Sequence, residues 1–81
     1  MIKTITFEGH EFEYEQREAK SYRNIKRIAR AKEDPNVVFD VAESLFCGKD
    51  EEYAELLDDD FGKFGELIGA VFTNEGEAAK N

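Results

Sequence analysis

Large apolar side chains stand at every second position on either side of one glycine. Ile5 and Phe7 precede Gly9, and Phe12 and Tyr14 follow it, with Thr4, Thr6 and Glu8, then Glu11, Glu13 and Glu15, between and around them. A period of two marks a strand with one covered face. The pattern predicts an antiparallel hairpin over residues 2–15 with a two-residue turn at Gly9-His10. That register pairs Glu8 with Glu11, Phe7 with Phe12 and Ile5 with Tyr14, and puts all four large apolar side chains on one face. Glycine at the first turn position suits a type II′ turn, and a four-residue turn would keep the same register. A lone hairpin is marginal in water. Its aromatic face therefore demands a second layer from the rest of the chain.

The period then changes. At about 100° per residue, Ala19, Tyr22, Ile25 and Ala29 fall on one arc of a helix over 17–33, with Ile28 at its edge and Lys26 beside it. Lys20, Arg23, Arg27 and Arg30 fall on the opposite side. Asp34-Pro35 is a helix start: the aspartate caps, and proline at the first helical position gives up no needed donor. A second helix over 35–47 carries Val37, Val38, Val41, Ala42, Leu45 and Phe46 on a broad arc with Phe39 at its margin, and Gly48 reads as its C′ glycine. Asp50 caps a short helix over 51–57, with Tyr53, Leu56 and Leu57 inward. After Asp58-Asp59-Asp60, a helix over 60–73 carries Phe61, Phe64, Leu67, Ile68, Val71 and Phe72. Gly65 and Gly69 lie beside that arc, where they would admit a close neighbour. Residues 77–81 are expected to fray. The fold class is α+β, mainly helical, in a single domain over 1–81: a two-stranded antiparallel hairpin, three main helices and one short one.

A chain of 81 residues buries only roughly 60–65% of its unfolded surface. With Cys47 the sole cysteine, no internal disulfide can reinforce it, and one cysteine with one histidine cannot make a zinc site. Self-association is the remaining way to extend the core. The N-terminus shows no signal-peptide pattern and no stretch approaches a membrane span, so a cytoplasmic protein is expected. The net charge of −8 is unevenly spread. Residues 17–32 hold seven bases and one acid, whereas residues 33–81 hold fourteen acids and three bases. Overall acidity disfavours nucleic acid and anionic membrane, yet permits a local basic contact.

Chemistry is sparse. Asp58-Asp59-Asp60 begins like a calcium loop, but Gly62 arrives one position early, Phe64 takes a ligand position and Gly69 stands where the closing glutamate belongs. The run reads as a loop and cap. Cys47 sits at a helix C-terminus, where the dipole opposes a thiolate, and reads as small semi-buried filler. His10 reads as a solvated turn residue. Gly62, Gly65 and Gly69 lack the strand and the Gly-Lys-Ser/Thr close of a phosphate loop. No catalytic, cofactor-binding or metal-binding residue is assigned, no cofactor is expected, and the chain reads as no enzyme. Two surfaces remain: the basic stripe Lys20, Arg23, Arg27 and Arg30, either a solvated face, a partner for the chain's own acids or a dock for an acidic protein; and the aromatic inventory, with Phe39 and Phe46 either core or interface.

The order of pieces resembles the siphophage tail assembly chaperones. The resemblance spans nearly the whole chain: Ile-Thr-Phe-Glu-Gly-His-Glu-Phe-Glu-Tyr at residues 5–14, Ala19-Lys20-Ser21-Tyr22-Arg23, Ile25-Lys26, Asp34-Pro35, Phe39 through Glu43, Leu45-Phe46-Cys47-Gly48-Lys49, Glu52-Tyr53 and Glu66-Leu67-Ile68. It implies a small acidic protein of the host cytoplasm, without cofactor, that binds the tape measure protein during tail morphogenesis. It also implies the short form of a frameshift-extended pair, or the N-terminal domain alone. The expected partner is a long helical structural protein, with homo-oligomerisation, and with neither nucleic acid nor membrane. Alternatives are an acidic inhibitor that mimics DNA, through acids such as Glu51, Glu52, Glu55 and Asp58 to Asp60, and a minor virion subunit.

Overall fold

Glu8 and Gly9 both take positive φ, 51° and 79°. Two such residues in succession make the primed turn whose twist matches that of the strands it joins. They close β1 (Ile2–Phe7) onto β2 (His10–Glu15) in antiparallel register, with Phe7 opposite His10, Ile5 opposite Phe12 and Lys3 opposite Tyr14. The expected turn at Gly9-His10 is thereby corrected. The loop lies one residue earlier, and the partner of Phe7 moves from Phe12 to His10. An even shift leaves every side chain on its own face, so the apolar face survives while Glu8 no longer opposes Glu11. The computed structural model describes residues 1–79, apart from the side chains of 76–79.

The chain passes directly from β2 into α1 (Gln16–Ala19), stops, and restarts as α2 (Tyr22–Ala29). Ser21 causes the restart: its Oγ accepts the Asn24 backbone N–H at 3.3 Å, an N-cap. Asn24 is buried, and its Nδ2 donates to the Glu18 carbonyl at 2.9 Å and to Glu18 Oε2 at 2.7 Å. A buried amide must be satisfied, and satisfying this one fixes the rotation of α2. The single helix expected over 17–33 is therefore two helices meeting at a polar corner. Tyr22, Ile25 and Ala29, expected inward, face solvent, while Asn24 and Ile28 face the core.

Asp34 behaves as the sequence suggests: its Oδ1 accepts the Asn36 N–H at 3.2 Å at the head of α3 (Asn36–Leu45). Two helices then end alike. After α3, Cys47 (φ 55°) and Gly48 (φ 83°) are both left-handed, and the Gly48 N–H bonds the Glu43 carbonyl at 2.9 Å. After α4 (Asp50–Leu56), Asp58 (φ 63°) and Asp59 (φ 55°) repeat the arrangement, with the Asp59 N–H on the Ala54 carbonyl at 2.8 Å. Both are Schellman closures, and the C′ position after α3 is Cys47, not Gly48. Asp50, expected as a cap, makes no capping bond and stands with Glu51 and Glu52 in the first turn of α4, near the positive end of the dipole. Asp60 Oδ1 accepts the Lys63 N–H at 2.9 Å and so caps α5 (Phe61–Ala79). This helix runs through Gly76 and past the expected end at 73. Of the tail expected to fray, 77–79 are helical backbone, and 80–81 lie outside the described residues.

The result is an α+β fold, an antiparallel hairpin followed by a mainly helical region. Phe12 and Tyr14 are fully buried against Ala42, Leu45, Phe46, Tyr53, Leu57, Leu67, Ile68 and Val71. Tyr53 is a junction. Its ring meets Phe12 edge-on at 4.9 Å and Phe46 at 5.3 Å, and its hydroxyl accepts the Glu13 N–H at 3.1 Å. One side chain thus packs the helical layer and ties it to the hairpin backbone, a geometry suited to an aromatic with a polar tip.

Candidate functional site

An open concave surface lies where α3, α4 and the start of α5 meet. Asp60 caps α5 and fixes where its first turn points. Phe61, expected inward, emerges 55% exposed against the equally exposed Phe39 of α3, with ring centroids 5.8 Å apart. Phe64, one turn further along α5, leans on buried Phe46 at 5.7 Å. These three rings and Ala54 floor an open groove of about 780 Å³. Its rim is Asp50, Glu51, Glu52 and Glu55 from α4, with Asp59 and Asp60 from the following turn; no Lys or Arg lines it. None of these carboxylates has a cation within 4.0 Å among the described residues. Among the described residues, the site is an apolar floor inside an acidic rim that forms no ion pair within 4.0 Å.

Why the sequence folds this way locally is clear in retrospect. Asp50, Glu51 and Glu52 serve the N-terminus of α4, and Asp59 and Asp60 the Schellman and cap positions between α4 and α5, so these five cluster for backbone reasons before any ligand is considered, whereas Glu55 in the last turn of α4 has no such reason. The two exposed phenyl rings have no such local reason. Of the two rings singled out from sequence as core or interface, Phe46 is core and Phe39 lies in the groove.

A second surface runs along α2. Tyr22 is 79% exposed and Ile25 49%, and with Ala29 they form a narrow apolar ridge with Lys26, Arg30 and Arg23 along one edge and Ile28 turning into the core on the other. None of Lys20, Arg23, Lys26, Arg27 or Arg30 has a carboxylate within 4.0 Å among the described residues. Among the described residues the stripe forms no ion pair within 4.0 Å, and Lys20 acts on Glu75 only at longer range.

The other sequence candidates are dispersed. Asp58 pairs with Lys63 Nζ at 2.8 Å, and this hydrogen bond and charge hold its carboxyl below, and the Lys63 ammonium above, their ordinary values. Asp60 is occupied as a cap. Among the described residues no group of three or more His, Cys, Asp and Glu is placed to hold a metal ion. Cys47 is exposed, correcting the semi-buried reading, because the left-handed turn carries it off the end of α3. His10 is the first residue of β2, not a turn residue, with its ring 6.2 Å from Phe12. A Cβ built on Gly65 or Gly69 meets nothing within 4 Å, so no neighbouring element approaches there.

Glu75 was missed by sequence reasoning. It is buried on α5, where Oε2 accepts the Tyr14 hydroxyl at 2.5 Å and Oε1 accepts Gln16 Nε2 at 3.1 Å. Burial pushes its carboxyl up, but the hydrogen bonds from Tyr14 and Gln16, helped by Lys3 and Lys20, outweigh this and hold it below the ordinary value. Burial and the same carboxylate raise the Tyr14 phenol. The available signal was spacing, since Leu67, Ile68, Val71 and Glu75 continue one helical arc.

No helix among the described residues is long and apolar enough to cross a membrane. No family model, curated protein or solved structure matches the chain.

Proposed function

We propose that this chain is a protein-binding assembly factor that covers a basic amphipathic helix of a client. The client class is the one the tail assembly chaperone resemblance implies, a long helical tape measure protein. The observation that supports the reading is the pair Phe39 and Phe61, two exposed rings in contact inside a ring of acids that have no cation within 4.0 Å among the described residues. Each phenyl is only 55% exposed, so covering the remainder against a partner is worth about half of the full-burial gain, roughly 1–1.5 kcal/mol. Rim ion pairs add about 0–1 kcal/mol each and mainly orient the incoming helix. Such a site binds reversibly and needs no reacting group.

Co-expression with a tape measure protein of the kind the resemblance implies tests the reading. The expected result is co-purification and a gain in client solubility, both lost in a Phe39→Ser, Phe61→Ser double variant. A client that stays insoluble and does not co-purify with the wild-type chain contradicts it. Binding that survives loss of both rings but collapses with salt would favour the acidic-inhibitor alternative, in which carboxylates alone make the contact.

A further inference from the structure

The two edges of the hairpin are not alike. Met1 and Gln16 stand opposite each other one step beyond the Ile2–Glu15 pair, and the Gln16 N–H bonds the Met1 carbonyl at 2.9 Å. In an antiparallel ladder, bonded and non-bonded pairs alternate. Lys3, Ile5 and Phe7 therefore turn their N–H and C=O groups toward β2, and Ile2, Thr4 and Thr6 turn theirs away. The same parity holds on β2, where the Glu13 N–H points away from β1 and donates to the Tyr53 hydroxyl at 3.1 Å. Tyr53 so caps the β2 edge. The β1 edge has no equivalent. The sheet has two strands, and among the described residues no hydrogen bond reaches the backbone of Ile2, Thr4 or Thr6.

We infer that the outer edge of β1 accepts an extended segment of a partner protein as a third strand. This surface is separate from the groove. Natural sheets shield such edges by shortness, proline, bulges or charge. β1 runs six residues in unbroken register, without proline and with Lys3 as its one charge. The side chains define what the segment carries. On the core face Phe12 and Tyr14 of β2 are fully buried, whereas Ile5 and Phe7 of β1 are only half-buried against the same core. An added strand with an apolar residue at every second position completes their cover. On the opposite face Thr4 and Thr6 stand beside the exposed Glu13 and Glu11. That face is acidic, so Lys or Arg at the intervening positions complements it. A second copy of β1 is the poorer occupant, because it would join two acidic faces in one sheet.

Amide hydrogen exchange on the full-length chain, read residue by residue by NMR, tests this. In the free chain Lys3, Ile5 and Phe7 should exchange slowly and Ile2, Thr4 and Thr6 fast. The probe is a short end-blocked peptide of alternating valine and lysine. At about ten times its Kd it should slow exchange at Ile2, Thr4 and Thr6 about tenfold. The same peptide with N-methylated amides should give no protection, and one of alternating valine and glutamate should bind more weakly. Thr4→Pro removes an outward N–H at no cost to the ladder, so it should keep the fold and lose the peptide. If that variant does not fold, the N-methylated peptide decides. The Phe39→Ser, Phe61→Ser variant should bind the peptide as wild type does, which separates this edge from the groove. Unchanged exchange at the three amides up to millimolar peptide, equal binding of the N-methylated or the glutamate peptide, or binding lost with the groove rings would each overturn the inference. Protection that appears without peptide and rises with protein concentration would assign the edge to a second copy and overturn it too.

Discussion

The Tyr14 hydroxyl donates to the Glu75 carboxylate at 2.5 Å, joining positions 61 apart in sequence. This buried contact, with Gln16 on the other carboxylate oxygen and Asn74 donating to the Tyr14 oxygen at 3.3 Å, fastens the later turns of α5 to the end of the hairpin. Tyr14→Phe removes a donor from a buried charge. Its expected cost is about 1–3 kcal/mol in urea unfolding, measured near neutral pH.

The same contact sets a pH dependence. The folded pKa of Glu75 lies below the ordinary 4.5, so its contribution is fully present above that value and is lost as pH falls through the folded pKa. Tyr14 has the opposite sense. Its folded pKa is raised above 10.0, so its contribution is present below that value and is lost as pH rises through the folded pKa. Denaturant midpoints of wild type and Glu75→Gln across the acid range check this. The variant should show a shallower acid loss. The other depressed carboxyls, Glu15 beside the N-terminus and Asp58 beside Lys63, are exposed pairs and contribute little.

Left-handed backbone at side-chain-bearing residues gives a second set of expectations. Glu8 and Cys47 hold φ of 51° and 55°, a region that disfavours residues with a Cβ by about 1–2 kcal/mol. Glu8→Asn suits the primed turn, and Cys47→Gly suits the Schellman C′ position. Each should raise stability by about 0.5–1 kcal/mol, read as an increase in melting temperature. A decrease in both would mean that these side chains make contacts outweighing their backbone strain.

Gly65 and Gly69 should behave oppositely to packing glycines. A methyl group at either meets open space, and alanine is the better helix former by about 0.8–1 kcal/mol. Gly65→Ala and Gly69→Ala should each stabilise the chain in a thermal melt.

Elements governed by strong local rules were legible in the sequence. The alternation around Gly9 yielded the hairpin and its apolar face, and Asp34-Pro35 marked the head of α3. What misled was chemistry in which one side chain outranks periodicity. Glu8 accepted a left-handed conformation that glycine alone would ordinarily take, moving the turn. Ser21 and Asn24 broke a helix whose apolar spacing looked continuous and turned Tyr22 and Ile25 outward. The last helix did not stop at residue 73, and Glu75, beyond that point, is anchored in the core. The groove was half visible: its acids and Phe39 stood out, but Phe61 looked like core until Asp60 fixed the direction of the first turn of α5.

The central claim, that the aromatic groove is the surface that covers another polypeptide, has a direct optical test. The chain contains no tryptophan, so Phe61→Trp places a single indole emitter in the groove. On titration with a purified helical fragment of the client, the emission should shift to the blue and saturate together with complex formation in sedimentation. A complex that forms while the indole emission stays unchanged, or no complex at all, would contradict the account.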